Sequence, residues 1–406
     1  MVVQNTFPAD IRVKNEADAL SQAGHQVSVI CLRSRSEPLH EVVGGIHVYR
    51  IQRLELFKKT LQRGNSGIHR ITRMTTSVLG YIFEYSYFTS TSLLLSLLVM
   101  FRDGFDVLHA HNPPDTLFLL ALFYRPLGVR YVFDHHDLSP ELYLSRYGAK
   151  KDALYRTLLA LEWVNLKLAH MTIATNESYR RIHLERGARE PEKVVVVRNG
   201  PNQERMKAYT ANPVLRGKQK KILCYVGLLN PQDGVDYLLR SLQILRYTMG
   251  RSDFHCVIMG SGDSLQDLRQ LNQQLQLESH VDILGYIPKA DLFANLAAAD
   301  ICVDPDPSSP LNDLSTWIKI MEYMAFSKPI VAFDLKETRF SAQGASLYAR
   351  PNDETDFARL IELLMDNEAM RKSMGVEGRR RVEEHLQWSI QGQALVQSYS
   401  RLLSSN

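Results

Sequence analysis

Apolar residues in this chain fall into short continuous runs separated by stretches of helical periodicity, and the alternation comes as two separate series. In the first, Val2 and Val3 open a short strand ending near Gln4. Val13, Ala17 and Leu20 give the next helix its buried face, and Gly24 supplies a left-handed stop before a strand at 27–32. The runs DVLHAH (106–111), YVFD (131–134), MTIAT (171–175) and VVVVR (194–198) follow, between helical patterns such as 152–169 and 177–186. The second series is ILCYVG (222–227), HCVIMGSGD (255–263), VDILGYIP (281–288), ICVD (301–304) and PIVAFD (329–334), with helices near 235–248, 264–277 and 290–299 between them. Continuous apolar strands alternating with helices predict parallel sheets covered on both faces. The expectation is therefore an α/β protein of two doubly wound, Rossmann-like domains, at 1–199 and 221–384, joined by a polar linker at 200–220. Such domains bind ligands at the carboxyl ends of their strands, here expected to face one central cleft.

The stretch from Asp304 to Asp334 reads as loop, helix and buried strand. Ser315 and Thr316 are good N-cap types, and a helix to about Phe326 carries Trp317, Ile320, Met321 and Met324 at helical spacing. Lys319, Glu322 and Tyr323 then face elsewhere. A helix N-terminus attracts anions, and a carboxylate two turns along suits sugar hydroxyls. Together they fit a nucleoside diphosphate, with phosphates at the helix start and the ribose on Glu322. A solvated Glu on a surface helix would give the same pattern.

With 45% hydrophobic residues, 406 residues make a globular protein of about two domains. Forty-eight Lys and Arg against 44 Asp and Glu give a formal charge of +4, which does not argue for a nucleic-acid partner. Cys31, Cys224, Cys256 and Cys302 lie singly in apolar runs with no CxxC pair, as buried reduced thiols of a cytoplasmic protein do. No basic and apolar leader pattern precedes the first strand, so no cleaved secretion signal is expected. Between Arg50 and Arg73 lie seven Lys or Arg and one acid, Glu55, followed by the aromatic and aliphatic stretch 76–101. Glu84 and many hydroxyl side chains argue against a membrane span there. Two readings stay open: a core helix behind a basic loop, or a cationic, aromatic edge over 50–101 that rests on the anionic inner face of the cell membrane.

His111 ends an apolar strand just before Pro113 and Pro114, where an imidazole would reach into the cleft. Asp134, His135, His136, Asp137 and Glu141 cluster after the next strand, suited to acceptor hydroxyls or to a metal. Asp304-Pro305-Asp306 is a DxD triplet on a loop stiffened by proline. No phosphate loop, HExxH or Ser-His-Asp pattern supports a kinase, metalloprotease or hydrolase.

The segments HAHNPPD (109–115), DHHD (134–137), VVRNG (196–200), YVGLLNPQDGVDYLL (225–239), IMGSGD (258–263), LGYIP (284–288) and IKIMEYMAFSKPIVAFD (318–334), in this order and spacing, carry a resemblance over nearly the whole chain. The sequence resembles the retaining glycosyltransferases of family 4, which have the GT-B fold, and especially bacterial members that build surface polysaccharides and lipid-linked sugars. The resemblance implies that the C-terminal domain holds a nucleotide sugar and the N-terminal domain an acceptor, with the final segment, 385–406, crossing back as a helix. It makes Glu322 the second Glu of the Glu-x7-Glu motif; the first falls on Leu314, leaving Asn312 or Asp313 as nearby substitutes. It places Gly227, Gly260, Ser261 and Gly262 near the nucleotide, Tyr286 and Ile287 beside the base, and His111 near the donor sugar. Ser315, Thr316 and Lys319 complete the expected donor site, and His136, Asp137 and Glu141 the acceptor site. It needs neither a metal nor a cofactor, since the nucleotide sugar is a substrate. Two cations usually directed at the diphosphate are missing, with Leu228 and Asp233 in their places, so Arg12, Lys319 or Arg339 is expected to supply the charge.

The expected activity is transfer of a sugar, with retention, from a nucleotide diphosphate donor to a saccharide or lipid-linked acceptor. A sugar-nucleotide 2-epimerase of the same fold and a catalytically inactive partner subunit are the alternatives.

Overall fold

The computed structural model describes residues 1–34, 36–54, 67–147, 151–202 and 207–404. The chain divides into two compact units, one of residues 1–199 with 389–406 and one of 200–388.

The first unit is built on eight strands, β1 (Val2–Thr6), β2 (Ser28–Leu32), β3 (His40–Val43), β4 (Ile46–Ile51), β5 (Val107–His111), β6 (Arg130–His135), β7 (Met171–Ala174) and β8 (Val194–Val196), in the order 3-4-2-1-5-6-7-8. All neighbours are parallel except β3 and β4, an antiparallel hairpin turned at Gly44 and Gly45, both with positive φ as a tight two-residue turn demands. The pattern reading missed this hairpin because β3 is an edge strand with alternating half-exposed positions and no apolar run. From β1 the chain runs first to β2 and later to β5 on the other side, so the switch point lies between β1 and β5. The helix Ile11–Gln22 begins at Asp10, whose carboxylate accepts the Arg12 N–H at 3.1 Å, and stops at Gly24 with φ +91°. Beside the predicted Val13, Ala17 and Leu20 it buries Asn15 and Glu16.

Helix Gly67–Arg102 packs on this sheet through Phe88 and Val99, with Ser96 Oγ 2.9 Å from the hydroxyl of Tyr124. Leu94, Leu98 and Phe101 on its far side are exposed. By length and composition, 78–102 is long and apolar enough to cross a membrane. Most of the basic segment before it lies outside the described residues. On the sheet face opposite Asp134, His135 Nδ1 stands 3.0 Å from His183 Nε2, whose Nδ1 meets Thr172 Oγ1 at 3.0 Å.

The second unit carries six parallel strands, β9 (Lys221–Val226), β10 (Phe254–Met259), β11 (Val281–Gly285), β12 (Ile301–Asp304), β13 (Ile330–Phe333) and β14 (Ser346–Ala349), ordered 11-10-9-12-13-14 with the switch between β9 and β12. Helix Ile318–Ala325 packs Ile320, Met321 and Met324 into the core with Cys224, Val257 and Ile330. It departs from its predicted form twice. Lys319, Glu322 and Tyr323 are buried as well, so the helix has no solvent face. Its N-cap is Trp317 without a side-chain bond, because Ser315 Oγ donates instead to the carbonyl of Leu311 at 2.8 Å.

The β9–β12 ladder pairs Cys302 with Cys224 and goes no further toward Val226. There the Tyr323 hydroxyl accepts the Val226 N–H at 2.9 Å and reaches the Val303 carbonyl at 3.3 Å. Tyr323→Phe leaves that buried N–H without its acceptor, and is expected to lower stability by about 1–3 kcal/mol in denaturant titrations. A loss below the error of the measurement contradicts the assignment.

Burial holds the His135 pKa at about 3, with Arg186 adding to the effect. The folded state keeps this ring neutral while the unfolded state protonates it below its ordinary value of 6.5, so acid favours unfolding through this group between those limits. His135→Gln should therefore reduce the stability lost between pH 7 and pH 5 by up to about 2 kcal/mol. Equal losses in wild type and variant would refute it.

Candidate functional site

In the second unit the carboxyl ends of β9 and β10 are joined backbone to backbone. Gly227 N–H donates to the Met259 carbonyl, Leu229 N–H to that of Ser261 and Ser264 N–H to that of Leu229, at 3.1, 3.1 and 2.8 Å. Glycine is required for that approach: a Cβ on Gly260 would lie 1.7 Å from the Gly227 carbonyl oxygen, and one on Gly262 2.4 Å from that of Leu229. The result is a ledge of main chain next to the helix Ile318–Ala325, whose N-terminus no side chain caps. The amides of Gly227, Leu229 and Ser264 are spent in these bonds, so the helix N-terminus and the remaining loop amides are what suit an anion. Glu322 follows on the second turn, buried. Thr316 Oγ1 lies 3.4 Å from Glu337, and Asp313 accepts from Ser308 Oγ at 3.2 Å. Tyr286 is 82% exposed beside Gly285, and Ile287 packs against the core. Asn312 is buried, donating to the carbonyls of Gln232 and Pro307, so it braces the loop and does not stand in for a glutamate at 314.

Each of the three candidate cations already has a carboxylate. Lys319 Nζ sits 2.9 Å from Asp304 and 2.6 Å from Asp306, beneath the ring of Tyr225. Burial alone would lower its pKa, but the two aspartates push it well above the ordinary range. Asp306, buried beside Asp304, is pushed up. Arg339 makes a two-pronged pair with Asp334, both bonds 2.7 Å, and Arg12 turns back onto Asp10 at 3.1 Å. The DxD triplet thus holds a lysine, and Asp233 caps the turn after β9 by accepting the Asn230 N–H.

In the first unit the parallel register sets His111 beside Asp134, and period-2 geometry puts His109, His111, Asp134 and His136 on one face. His111 was expected to open toward a cleft, yet it is buried, as is His109, and their rings stack at 4.3 Å. Asp134 Oδ2 is the shared node: His136 Nε2 lies at 3.0 Å, His111 Nδ1 at 3.1 Å and His109 Nε2 at 3.4 Å. Glu16 reaches the group from helix Ile11–Gln22, its Oε2 3.9 Å from His111 Nδ1. Burial, then the charge of Asp134, pushes Glu16 well up; Asp134 is held low against its own burial by His136, His109 and His111. Burial, then His109, lowers His111 to about 3, so its imidazole is neutral. Glu141, expected on an acceptor, is buried and ion-paired with Arg186, which also takes Glu162. Asp137 is half-buried, its backbone clasped on both sides by Asn112. Sequence reasoning missed Glu16 and Asn112. The signal for Glu16 was its place between Val13, Ala17 and Leu20 on the apolar face of the first helix.

Residues 9–205 match the family model described as Glycosyltransferase Family 4, and residues 220–367 the one described as Glycosyl transferases group 1. An uncharacterized glycosyltransferase of Methanocaldococcus jannaschii is 24% identical over 330 residues, 79% of this chain and 75% of its own. A GDP-mannose-dependent monoacylated alpha-(1-6)-phosphatidylinositol monomannoside mannosyltransferase of Corynebacterium glutamicum is 30% identical over 172 residues, covering 41% of this chain and 44% of that one. Among solved structures, sucrose-phosphate synthase from Thermosynechococcus elongatus superposes with a TM-score of 0.74 at 17% identity, over 100% of this chain and 96% of that one. Anabaena HepE in complex with UDP gives 0.69 at 14%, over 98% of each chain. With family models over both of its units and this fold over its full length, the chain belongs to the family 4 glycosyltransferases and has the GT-B fold.

Proposed function

We propose that the chain is a retaining hexosyltransferase that takes its sugar from a nucleoside diphosphate donor held by the second unit and delivers it to a saccharide or lipid-linked acceptor. The observation that carries this reading is the main-chain ledge of 227–229 and 260–262 beside the uncapped helix Ile318–Ala325 with Glu322 on its second turn. The diphosphate rests on the helix N-terminus and the loop amides, the ribose hydroxyls on Glu322, and the base beside Tyr286 and Ile287. Preorganised N–H groups then stabilise charge as the diphosphate leaves. A neutral His111 is suited to give a sugar a hydrogen bond and no charge. No cofactor takes part. The UDP bound to HepE supports a nucleoside diphosphate.

The acceptor falls to the loop after β6, with Asp137 as its accessible carboxylate and His136 beside it; Glu141, tied to Arg186, supports that loop. A lipid-borne acceptor is favoured by the exposed apolar face of Leu94, Leu98 and Phe101, continued by Leu119, Leu122 and Phe123 on the adjoining helix Phe118–Tyr124. The mannosyltransferase relative is named for a phosphatidylinositol substrate, which agrees. The protein then works on the cytoplasmic side of the cell membrane, attached peripherally, in polysaccharide or glycolipid synthesis.

One observation favours a second reading. With Lys319, Arg12 and Arg339 all paired to aspartates, the chain lacks the usual cations for a diphosphate, as an inactive partner subunit would. Calorimetric titration of UDP and GDP separates the two. The glycosyltransferase reading expects one of them to bind, and Glu322→Gln to weaken it about tenfold while leaving the 2′,3′-dideoxy analogue unchanged. Failure of every nucleotide to bind supports the inactive subunit. Donor converted to its 2-epimer without any acceptor would mark the epimerase. For the membrane, Leu98→Asp with Phe101→Asp should cut sedimentation with anionic vesicles severalfold; an unchanged bound fraction rejects the lipid face.

A further inference from the structure

We propose that Glu16, His111, Asp134 and His136 together hold one divalent transition-metal ion, with zinc the best match, at the switch point of the first sheet. The resemblance to family 4 implies no metal here; the donor atoms themselves argue for one. One ligand atom from each of the four residues falls in a group whose members all lie within 4.8 Å of one another. A tetrahedral zinc with bonds of about 2.0–2.2 Å sets its ligands roughly 3.3–3.6 Å apart. The measured separations bracket that edge: 3.0 Å from His136 Nε2 to Asp134 Oδ2, 3.1 Å from His111 Nδ1 to Asp134 Oδ2, 3.3 Å between His111 Nδ1 and His136 Nε2, and 3.9 Å from His111 Nδ1 to Glu16 Oε2.

Charge points the same way. Two carboxylates buried to 1% and 0% exposure face each other with imidazoles between them, and no Lys or Arg is paired with either among the described ion pairs. A divalent cation lets both ionise, which a neutral imidazole does not. Glu16 Oε2 and both oxygens of Asp134 lack a hydrogen-bond partner of good geometry among the described residues, as do His111 Nε2 and His136 Nδ1. With those outer nitrogens holding no protein hydrogen bond, neither tautomer is fixed by them, and the inner nitrogen of each ring can present its lone pair. Two imidazoles with two carboxylates form a donor set that zinc, iron, cobalt or manganese accepts, and four separations near a tetrahedral edge favour zinc. His109 stands behind the group, its Nε2 3.4 Å from Asp134 and its Nδ1 2.7 Å from the hydroxyl of Tyr399, in the manner of a ring that orients a ligating carboxylate.

All four ligands are buried, so the site is closed and its work is structural. It joins the helix Ile11–Gln22, β5 and β6 where the loops toward the acceptor begin. Without a metal the same residues would be a proton-sharing network, with one proton kept between Glu16 and Asp134.

The test is elemental analysis of the full chain, purified without a metal-affinity step, then incubated with zinc and dialysed. About one zinc per chain is expected in the wild type, and less than about a tenth in Glu16→Gln and in His136→Gln. Less than about a tenth in the wild type, or wild-type content retained in both variants, overturns the proposal. If the variants fail to fold, the wild type still decides. Cobalt substitution should give the visible absorption of a tetrahedral centre, and a strong chelator should lower its melting temperature by several degrees; neither change would leave the proton network as the correct account.

Discussion

A lysine closed between two aspartates sets the terms for the second unit. Lys319, Asp304 and Asp306 join the end of β12, the loop after it and the helix Ile318–Ala325, all away from water. Ions are costly to bury, and such a group persists only while every member keeps its partner; removing one from a buried pair typically costs about 3–5 kcal/mol. The consequence is chemical as well as mechanical. A positive charge so engaged counts little toward a diphosphate, and Arg12 and the more exposed Arg339 each face an aspartate of their own. The proposed donor site is therefore one of main-chain amides and a helix end, which explains why its glycines matter. Gly260 and Gly262 admit the close approach of two loops that no side chain would permit.

The first unit shows the converse arrangement, with carboxylates buried among neutral rings. Here the sheet does the positioning: the parallel register sets His111 beside Asp134, and the strand period adds His109 and His136 to the same face. Rigid strands hold these groups more closely than a loop could, while the segment after β6 that carries Asp137 stays open to solvent on one side. The final helix, Trp388–Ser404, is drawn into the same assembly through Tyr399 and His109.

Much of this was legible from pattern alone. Strands β5 to β7, β9, β10, β12 and β13 are largely apolar runs because both faces of their sheets are covered, and such runs survive in the sequence as plain signals. The hairpin of β3 and β4 was not read, since an edge strand keeps no such run; nor was β14, whose Ser346–Ala349 is only partly apolar. Glu322 was singled out from its place on a helix behind a polar loop, and the glycine loops through their resemblance to a family. What pattern does not carry is pairing. Whether Lys319 faces a phosphate or an aspartate, and whether Arg12 turns outward or back to Asp10, depends on rotamers and on distant chain segments. Glu16 was hidden for a related reason: a carboxylate on the apolar face of a helix reads as an exception until the strands it faces are known.

The central claim is that a nucleoside diphosphate is held by the second unit's backbone ledge and helix end. Hydrogen exchange of the whole chain, with and without a saturating nucleoside diphosphate, tests it most directly, because those amides are the proposed contacts. The account predicts slowed exchange in 227–234, 260–265 and 315–322, with little change across β1 to β8. Slowed exchange confined to the first unit, with those three segments unaltered, would contradict it.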